Sequence, residues 1–269
     1  EYSLIAWTFI VQRNKIIELL GQNFHSLGEN KGELLTLIAS FDPDVISFEE
    51  FPEFFMDDSI TKEIYKKERS YKIFETTHDS SFPVSEKRWF PDKFIFVSAY
   101  SAFKYSAYDI PYEIIEYPVD KKTRNKELKQ SLLNLNSDWK HVVNVGLFTQ
   151  RKNQGYIFEM AKQLKDEKIL FHFVGNQAEN FQNYWGPIME NLPSNVTVWG
   201  ERDDVDSFMI SCDVLYFTST FECNPLVLRE AISYGMKILT RNLKQYVEMY
   251  NNYITQIESD DVSIISNQL

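Results

Sequence analysis

The sequence predicts an α/β protein built from two doubly wound parallel sheets, the amino-terminal one reduced or truncated. Three observations carry that expectation. Short runs rich in β-branched and aromatic residues alternate with segments of helical periodicity, the pattern of right-handed crossover units with helices on both faces of a parallel sheet. A basic cluster, Lys121, Lys122, Arg124, Lys126 and Lys129, follows Pro118 and interrupts the alternation. The 269 residues suffice for one large domain or two ordinary ones. The expected division is an amino-terminal domain over residues 1–120, a linker over 121–140 and a carboxy-terminal domain over 141–269.

In the first half, residues 31–40 have helical spacing, 44–48 (DVISF) read as a strand and 59–69 as a helix. Strands follow at 71–76, 94–98 (FIFVS) and 113–117 (EIIEY). The second half is more regular. Residues 141–148 (HVVNVGLF) form a strand that runs into a loop, and 154–165 place Tyr156, Ile157, Met160, Ala161 and Leu164 at helical spacing. A strand at 169–174, a partly helical stretch at 179–191, a strand at 196–199 and a helix at 203–211 come next. The series closes with a strand at 214–218, a helix at 225–234 and a strand at 237–240.

Composition narrows the function. Hydrophobic residues at 43% and aromatics at 15% argue for a packed core and against disorder. A net charge of -11, from 28 basic and 39 acidic side chains, argues against nucleic-acid binding, which needs a basic face to displace phosphate counterions. The longest apolar run near the start, residues 4–11, is far short of the roughly 20 residues a membrane-spanning helix needs. Peripheral membrane contact is left open, although no amphipathic helix rich in Lys or Arg stands out. Signal-peptide anatomy is missing, and Cys212 and Cys223 are too few for a disulfide framework or a cysteine-based metal site. A reducing, cytoplasmic setting is expected, with both cysteines as small buried hydrophobes. The first residue is Glu1 rather than Met, so a fragment is expected.

Ligands of open parallel sheets bind beyond the carboxyl ends of the strands. The segment 219–235, STFECNPLVLREAISYG, leaves one such end. Asn224 suits the N-cap, Pro225 the first helical position and Gly235 the end of the helix. The N-H groups at this helix start, those of Leu226 and Val227 included, attract phosphate. Glu222 lies just outside the helix and Glu230 inside it, where a carboxylate can accept from two ribose hydroxyls. Spacing alone reads both glutamates as surface charges. A second segment, VGLFTQRKNQ at 145–154, places Arg151 and Lys152 at a helix start, where cations are unfavourable unless an anion compensates.

Taken together, residues 141–250 resemble the donor-binding domain of the retaining glycosyltransferases of the two-domain GT-B type, family 4. The resemblance rests on Glu222 and Glu230 with seven residues between them, on NPLVLREAISYGMKIL around them, on Lys152 in the first loop and on WGERDDV at 199–205. It implies a GT-B-like fold of two Rossmann-like domains and transfer of a sugar from a nucleotide-diphosphate sugar to a carbohydrate or lipid-linked acceptor, with retention of configuration. Lys152 and Arg151 would then contact the diphosphate, Glu230 the ribose and Glu222 the donor sugar. The N-H groups of Leu226 and Val227, at a turn shaped by Asn224 and Pro225, would cradle phosphate, and Arg202 would border the base. One departure stands out: where many members carry Arg after the strand-end glycine, this chain has Leu147.

In the first half, KIFETTHDSSF at 72–82 resembles the family's strand ending in a catalytic-site histidine, which makes His78 the candidate and Asp79 a weaker one. Glu49 and Glu50 follow the preceding strand on the face where acceptors meet the family, and read otherwise as a solvated acidic loop. FIFVSAYSAFKYS and IPYEIIEYPVD resemble the passage between the two domains. The four histidines are scattered and no Asp-x-Asp occupies a plausible site loop, so neither a metal nor a separate cofactor is expected. Two other readings are a non-catalytic nucleotide-sugar-binding remnant and a GT-B sugar-nucleotide epimerase. Two full domains of this family exceed 269 residues, and the deficit is expected mainly at the amino end.

Overall fold

In a computed structural model of the chain, three parallel sheets form two units, Glu1–Glu116 and Tyr117–Leu269. The structure describes residues 4–5, 18, 24–25, 32–120, 138–241, 255–257 and 267. Most of the expected linker, residues 121–137, therefore lies outside the described residues.

The amino-terminal unit begins with β1 (Leu4–Ile5) and β2 (Phe24–His25), which pair in parallel. Next come α1 (Glu33–Phe41), β3 (Val45–Phe48), α2 (Asp58–Ile64), β4 (Lys72–Thr77), β5 (Lys93–Phe96), α3 (Ala99–Tyr105) and β6 (Tyr112–Ile114). Strands β3 to β6 form one parallel sheet in sequence order.

Two expectations change here. Helix α2 stops at Ile64, well before residue 69, because Tyr65 turns its hydroxyl onto the Glu75 carboxylate at 2.5 Å. Tyr71 Oη then donates to the Ile64 carbonyl at 2.9 Å, satisfying an acceptor at the helix end. The passage 94–106, read as strand and connection, contains α3, whose first turn is capped by Ser98 Oγ accepting from Ser101 N.

Register places Glu75 of β4 between Phe48 of β3 and Phe94 of β5, in the middle of the apolar face. Its carboxylate is fully buried, and Lys87 Nζ reaches it at 3.0 Å while also lying 2.9 Å from Glu53. Glu53 Oε1 further accepts from the N-H groups of Arg88 and Trp89 at 2.9 and 3.0 Å. The ammonium lies 4.6 Å from the centre of the Phe51 ring. Burial pushes the Glu75 carboxyl up to about 7 against the pull of Lys87.

The carboxy-terminal unit runs β7 (Lys140–Val145), α4 (Gln154–Gln163), β8 (Ile169–Val174), α5 (Gln182–Met189), β9 (Val196–Gly200), α6 (Val205–Ser211), β10 (Val214–Phe217), α7 (Leu226–Ser233), β11 (Lys237–Arg241) and β12 (Thr255–Ile257). All pairings in its sheet are parallel, in the order β12-β11-β10-β7-β8-β9. Alternation along the strands feeds two cores. Val142, Phe171, Phe173, Val214, Tyr216 and Leu239 pack with α4, whereas Val143, Val174, Leu215, Phe217 and Ile238 pack with α6 and α7. This two-sided burial is the doubly wound architecture expected from the sequence.

A polar relay crosses three strands of this sheet. Trp199 Nε1, which can only donate, gives its proton to His172 Nδ1 at 3.1 Å, so His172 carries hydrogen on Nε2 and donates to His141 Nδ1 at 3.0 Å. Burial, with His141 beside it, pushes His172 down to about 4 and keeps its ring neutral. Among the described residues no helix is long and apolar enough to cross a membrane.

The Lys87 cluster yields a stability prediction. Glu75 binds its proton more tightly folded than unfolded, so its contribution falls as pH rises from its ordinary 4.5 through about 7. Lys87→Met leaves two buried carboxylates without their cation, and urea unfolding at pH 8 should register a loss of about 3–5 kcal/mol. The loss should shrink at pH 5.5, where Glu75 is protonated; an equal loss at both values would count against the cluster.

Candidate active site

Strand β7 comes first in its unit yet lies inside the sheet, because the chain winds to β8 and β9 on one side and returns to β10, β11 and β12 on the other. The direction of winding reverses between β7 and β10, the point at which a crevice opens at the carboxyl edge of such sheets. The pairing shows how it opens. The β7–β10 ladder is short, matching Val142 with Val214 and Val143 with Leu215. Beyond that ladder the buried Asn144 side chain joins the two strands, donating from Nδ2 to the Tyr216 carbonyl at 2.8 Å.

The floor of the crevice is backbone. Strands β7 and β8 run into Gly146 and Gly175, and β9 ends on Gly200. Gly175 has φ +153, and a Cβ there would stand 2.0 Å from the Gly146 carbonyl oxygen, so no side chain is accommodated. Gly146 N donates to the Val174 carbonyl at 2.9 Å and Gly175 N to the Gly200 carbonyl at 2.8 Å. The Lys152 side chain lies over Gly146, 3.5 Å from the place a Cβ would take.

Two loops form the walls and are bonded to each other. Thr218, at the end of β10, directs Oγ1 at the carbonyls of Lys152 and Asn153, each at 3.1 Å. Thr220 N donates to the Arg151 carbonyl at 2.8 Å. The same contact brings Arg151 and Lys152 to Glu222. Lys152 Nζ lies 2.6 Å and Arg151 Nη1 2.9 Å from the same oxygen, Glu222 Oε1. Glu222 is buried, Lys152 mostly so, and Arg151 half exposed. Arg151 Nη1 also donates to the Phe221 carbonyl at 2.9 Å.

The remaining carboxy-terminal candidates are placed as follows. Helix α7 begins at Leu226 with Pro225 as its N-cap, one position later than expected, because Pro225 keeps an extended ψ of 109 while its carbonyl accepts from Leu228 N. Asn224, expected to cap, instead precedes the cap as a buried residue. The N-H groups of Leu226 and Val227 lie ahead of the helix's own ladder. Glu230 is partly exposed on α7, near Tyr234. Arg202 follows β9 and is held by Asp204 through two bonds of 2.7 and 2.8 Å, over the Trp199 ring.

In the amino-terminal unit, His78 directly follows β4, and its Nε2 lies 3.1 Å from Glu49 Oε2. The adjoining Glu50 is no solvated loop residue: it accepts from Phe51 N, Thr77 Oγ1, His78 N and Asp79 N at 2.8 to 3.1 Å. Asp79 closes the turn by accepting from Ser81 N at 2.8 Å. The bond to Glu49 raises His78 above its ordinary 6.5, against the opposing effect of burial. The same bond lowers the Glu49 carboxyl.

Thr218, Thr220 and Gly175 were not singled out from the sequence as parts of the site. The signal for the glycines was present in three strand ends reading VG, VG and WG. The threonine hydroxyls carry no such mark, since their partners lie more than sixty residues away.

Comparison with known proteins assigns the chain. The model for glycosyl transferases group 1 matches residues 125–264, just over half of the sequence. The chain belongs to the glycosyl transferases group 1 family. An "Uncharacterized 41.2 kDa protein in cps region" of Klebsiella pneumoniae is 22% identical over 210 residues, covering 70% of this chain and 57% of that protein. The chain thus spans little more than half the length of that curated relative. Among solved structures, Anabaena Alr3699/HepE in complex with UDP and glucose superposes with a TM-score of 0.71 at 17% identity, over 94% of this chain and 77% of that one. A glycosyltransferase of Rickettsia africae ESF-5 gives 0.74 at 14% identity, over 98% and 77%. These likenesses carry the fold, and the GT-B-like architecture of parallel α/β sheets agrees with the group 1 assignment.

The His78–Glu49 pair has a checkable titration. His78 contributes stability fully below 6.5 and loses it as pH rises through its raised folded value. Glu49 contributes above 4.5 and loses it as pH falls through its lowered folded value, so the pair is intact between those limits. Histidine NMR should give His78 a midpoint above 6.5 that Glu49→Gln brings down; a wild-type midpoint at or below 6.5 would argue against the bond.

Proposed function

We propose that the chain transfers a sugar from a nucleotide-diphosphate sugar to a carbohydrate or lipid-linked acceptor, with retention of configuration and without a metal. The observation behind this reading is the meeting of Arg151, Lys152 and Glu222 at the crevice between β7 and β10, on the same connection that leads into α7. Two cations facing one carboxylate leave an excess positive charge, which suits a diphosphate. Negative charge builds on the departing nucleoside diphosphate during transfer, and fixed cations with oriented N-H groups stabilise it without rearranging.

In this reading Lys152 and Arg151 bind the diphosphate, and the N-H groups of Leu226 and Val227, beyond Asn224 and Pro225, add to its cradle. Glu230 receives the ribose hydroxyls, Glu222 the sugar hydroxyls, and Arg202 with Trp199 borders the base. His78, oriented by Glu49, acts on the sugar and acceptor hydroxyls. Because the HepE structures hold UDP and UDP-glucose, these are the first ligands to test here.

A second reading, nucleotide-sugar binding without turnover, draws on Leu147, a partly exposed apolar side chain where many members of the family carry Arg. Arg151, four residues on in the same loop, supplies a guanidinium to the cluster and favours the catalytic reading.

Donor turnover should fall about a hundredfold or more in Lys152→Ala, the scale for removing one fixed charge from a site that stabilises a developing anion. His78→Ala should slow transfer while leaving nucleotide affinity, followed by calorimetry, unchanged. Wild-type protein that binds nucleotide-sugar yet turns over none across an acceptor panel would establish the second reading.

A further inference from the structure

Glu222 has a property that its expected role as a sugar contact does not use. Its carboxylate is buried, and both nearby cations converge on one of its oxygens, Oε1. Arg151 Nη1 is additionally shared with the Phe221 carbonyl. The two cations that a diphosphate would meet are therefore already in contact with an anion belonging to the protein.

We propose that Glu222 is a built-in counter-anion that makes the site distinguish the sugar-bearing donor from the bare nucleoside diphosphate. The inference rests on the donor-site reading above and adds a specificity to it. Phosphate oxygens entering at Lys152 and Arg151 either displace Glu222 or lie beside it. In both cases a buried carboxylate loses part of its compensation and faces a second anion, which weakens binding. A sugar carried on the diphosphate brings hydroxyl donors, and a carboxylate accepts from them. The donor thus restores to Glu222 what its phosphates remove, whereas the bare diphosphate does not.

The consequence falls on product release. Once the sugar has left, Glu222 has lost its hydroxyl partners while phosphate still occupies the cations. Return of the carboxylate to Lys152 then competes with the nucleoside diphosphate for the same ammonium. The hydroxyl bonds from Thr218 to the Lys152 and Asn153 carbonyls keep that ammonium within reach of the returning carboxylate.

Calorimetry on wild type and Glu222→Gln, with inorganic pyrophosphate, UDP and UDP-glucose, tests the idea. The substitution keeps shape and removes charge. Pyrophosphate and UDP should bind about tenfold tighter or better to the variant, a change of about 1.4 kcal/mol, with no comparable gain for UDP-glucose. Weaker binding of pyrophosphate and UDP would overturn the proposal, since Glu222 would then be holding the cations in place for phosphate. An equal gain for UDP and UDP-glucose would overturn it as well. Should the variant not fold, a crystal structure of the wild type with pyrophosphate decides: a phosphate oxygen on Lys152 Nζ, displacing or sharing the 2.6 Å contact with Glu222, is expected, and phosphate bound away from Lys152 overturns the proposal. Failure of the donor-site reading has a different signature, in which wild type and Lys152→Ala bind UDP equally or not at all.

Discussion

Arg151, Lys152 and Glu222 can meet because two loops, about seventy residues apart in sequence, are bonded carbonyl by carbonyl where the sheet reverses its winding. Successive carbonyls of Arg151, Lys152 and Asn153 accept from Thr220 and Thr218. The β7–β10 ladder has already ended at that point, so these bonds and the Asn144 amide do the work of strand pairing while leaving space between the strands. Each exchanges a contact with water for one within the protein, a modest net gain singly. Together they fix the separation of two cations and a carboxylate, which electrostatics at short range depends on steeply.

The two units handle buried charge differently. Around Glu75, Lys87 and Glu53 the charges are enclosed and satisfied by each other, by Tyr65 and by backbone N-H groups, so the cluster orders the core of the amino-terminal sheet. Around Glu222 the cations are partly accessible. His78 and Glu49 are more exposed again, with the neighbouring Glu50 acting as the clamp that shapes the turn carrying the histidine. Enclosure thus separates groups that build the fold from the groups proposed to meet the donor and acceptor.

Much of this was legible in the sequence, for reasons that differ by element. The strand at Ile169–Val174 is bounded as expected, because five apolar or aromatic residues around His172 and a following glycine admit few alternatives. Lys152 and Glu222 were both singled out from the sequence, and they meet because both lie in loops that leave strands of the same sheet. Helix α3 was hidden because only Val97 and Ser98 separate it from β5, and its start depends on one serine hydroxyl. Helix α2 was read too long because the residue that ends it, Tyr65, has its partner Glu75 on a strand still to come. Asn224 was given the cap by residue preference, whereas the extended backbone of Pro225 moved the helix start along by one.

The glycine contact beneath the crevice has one more consequence. Gly146 and Gly175 meet with no side chain between them, and the peptide of Gly200 is joined to the same layer. A surface of bare peptide presents nearly the same dipoles to any molecule that rests on it. Such a base can set how deep a ligand sinks, but it has little means of telling one ligand from another. Any selectivity of the proposed donor site would therefore fall to the side chains standing around that base.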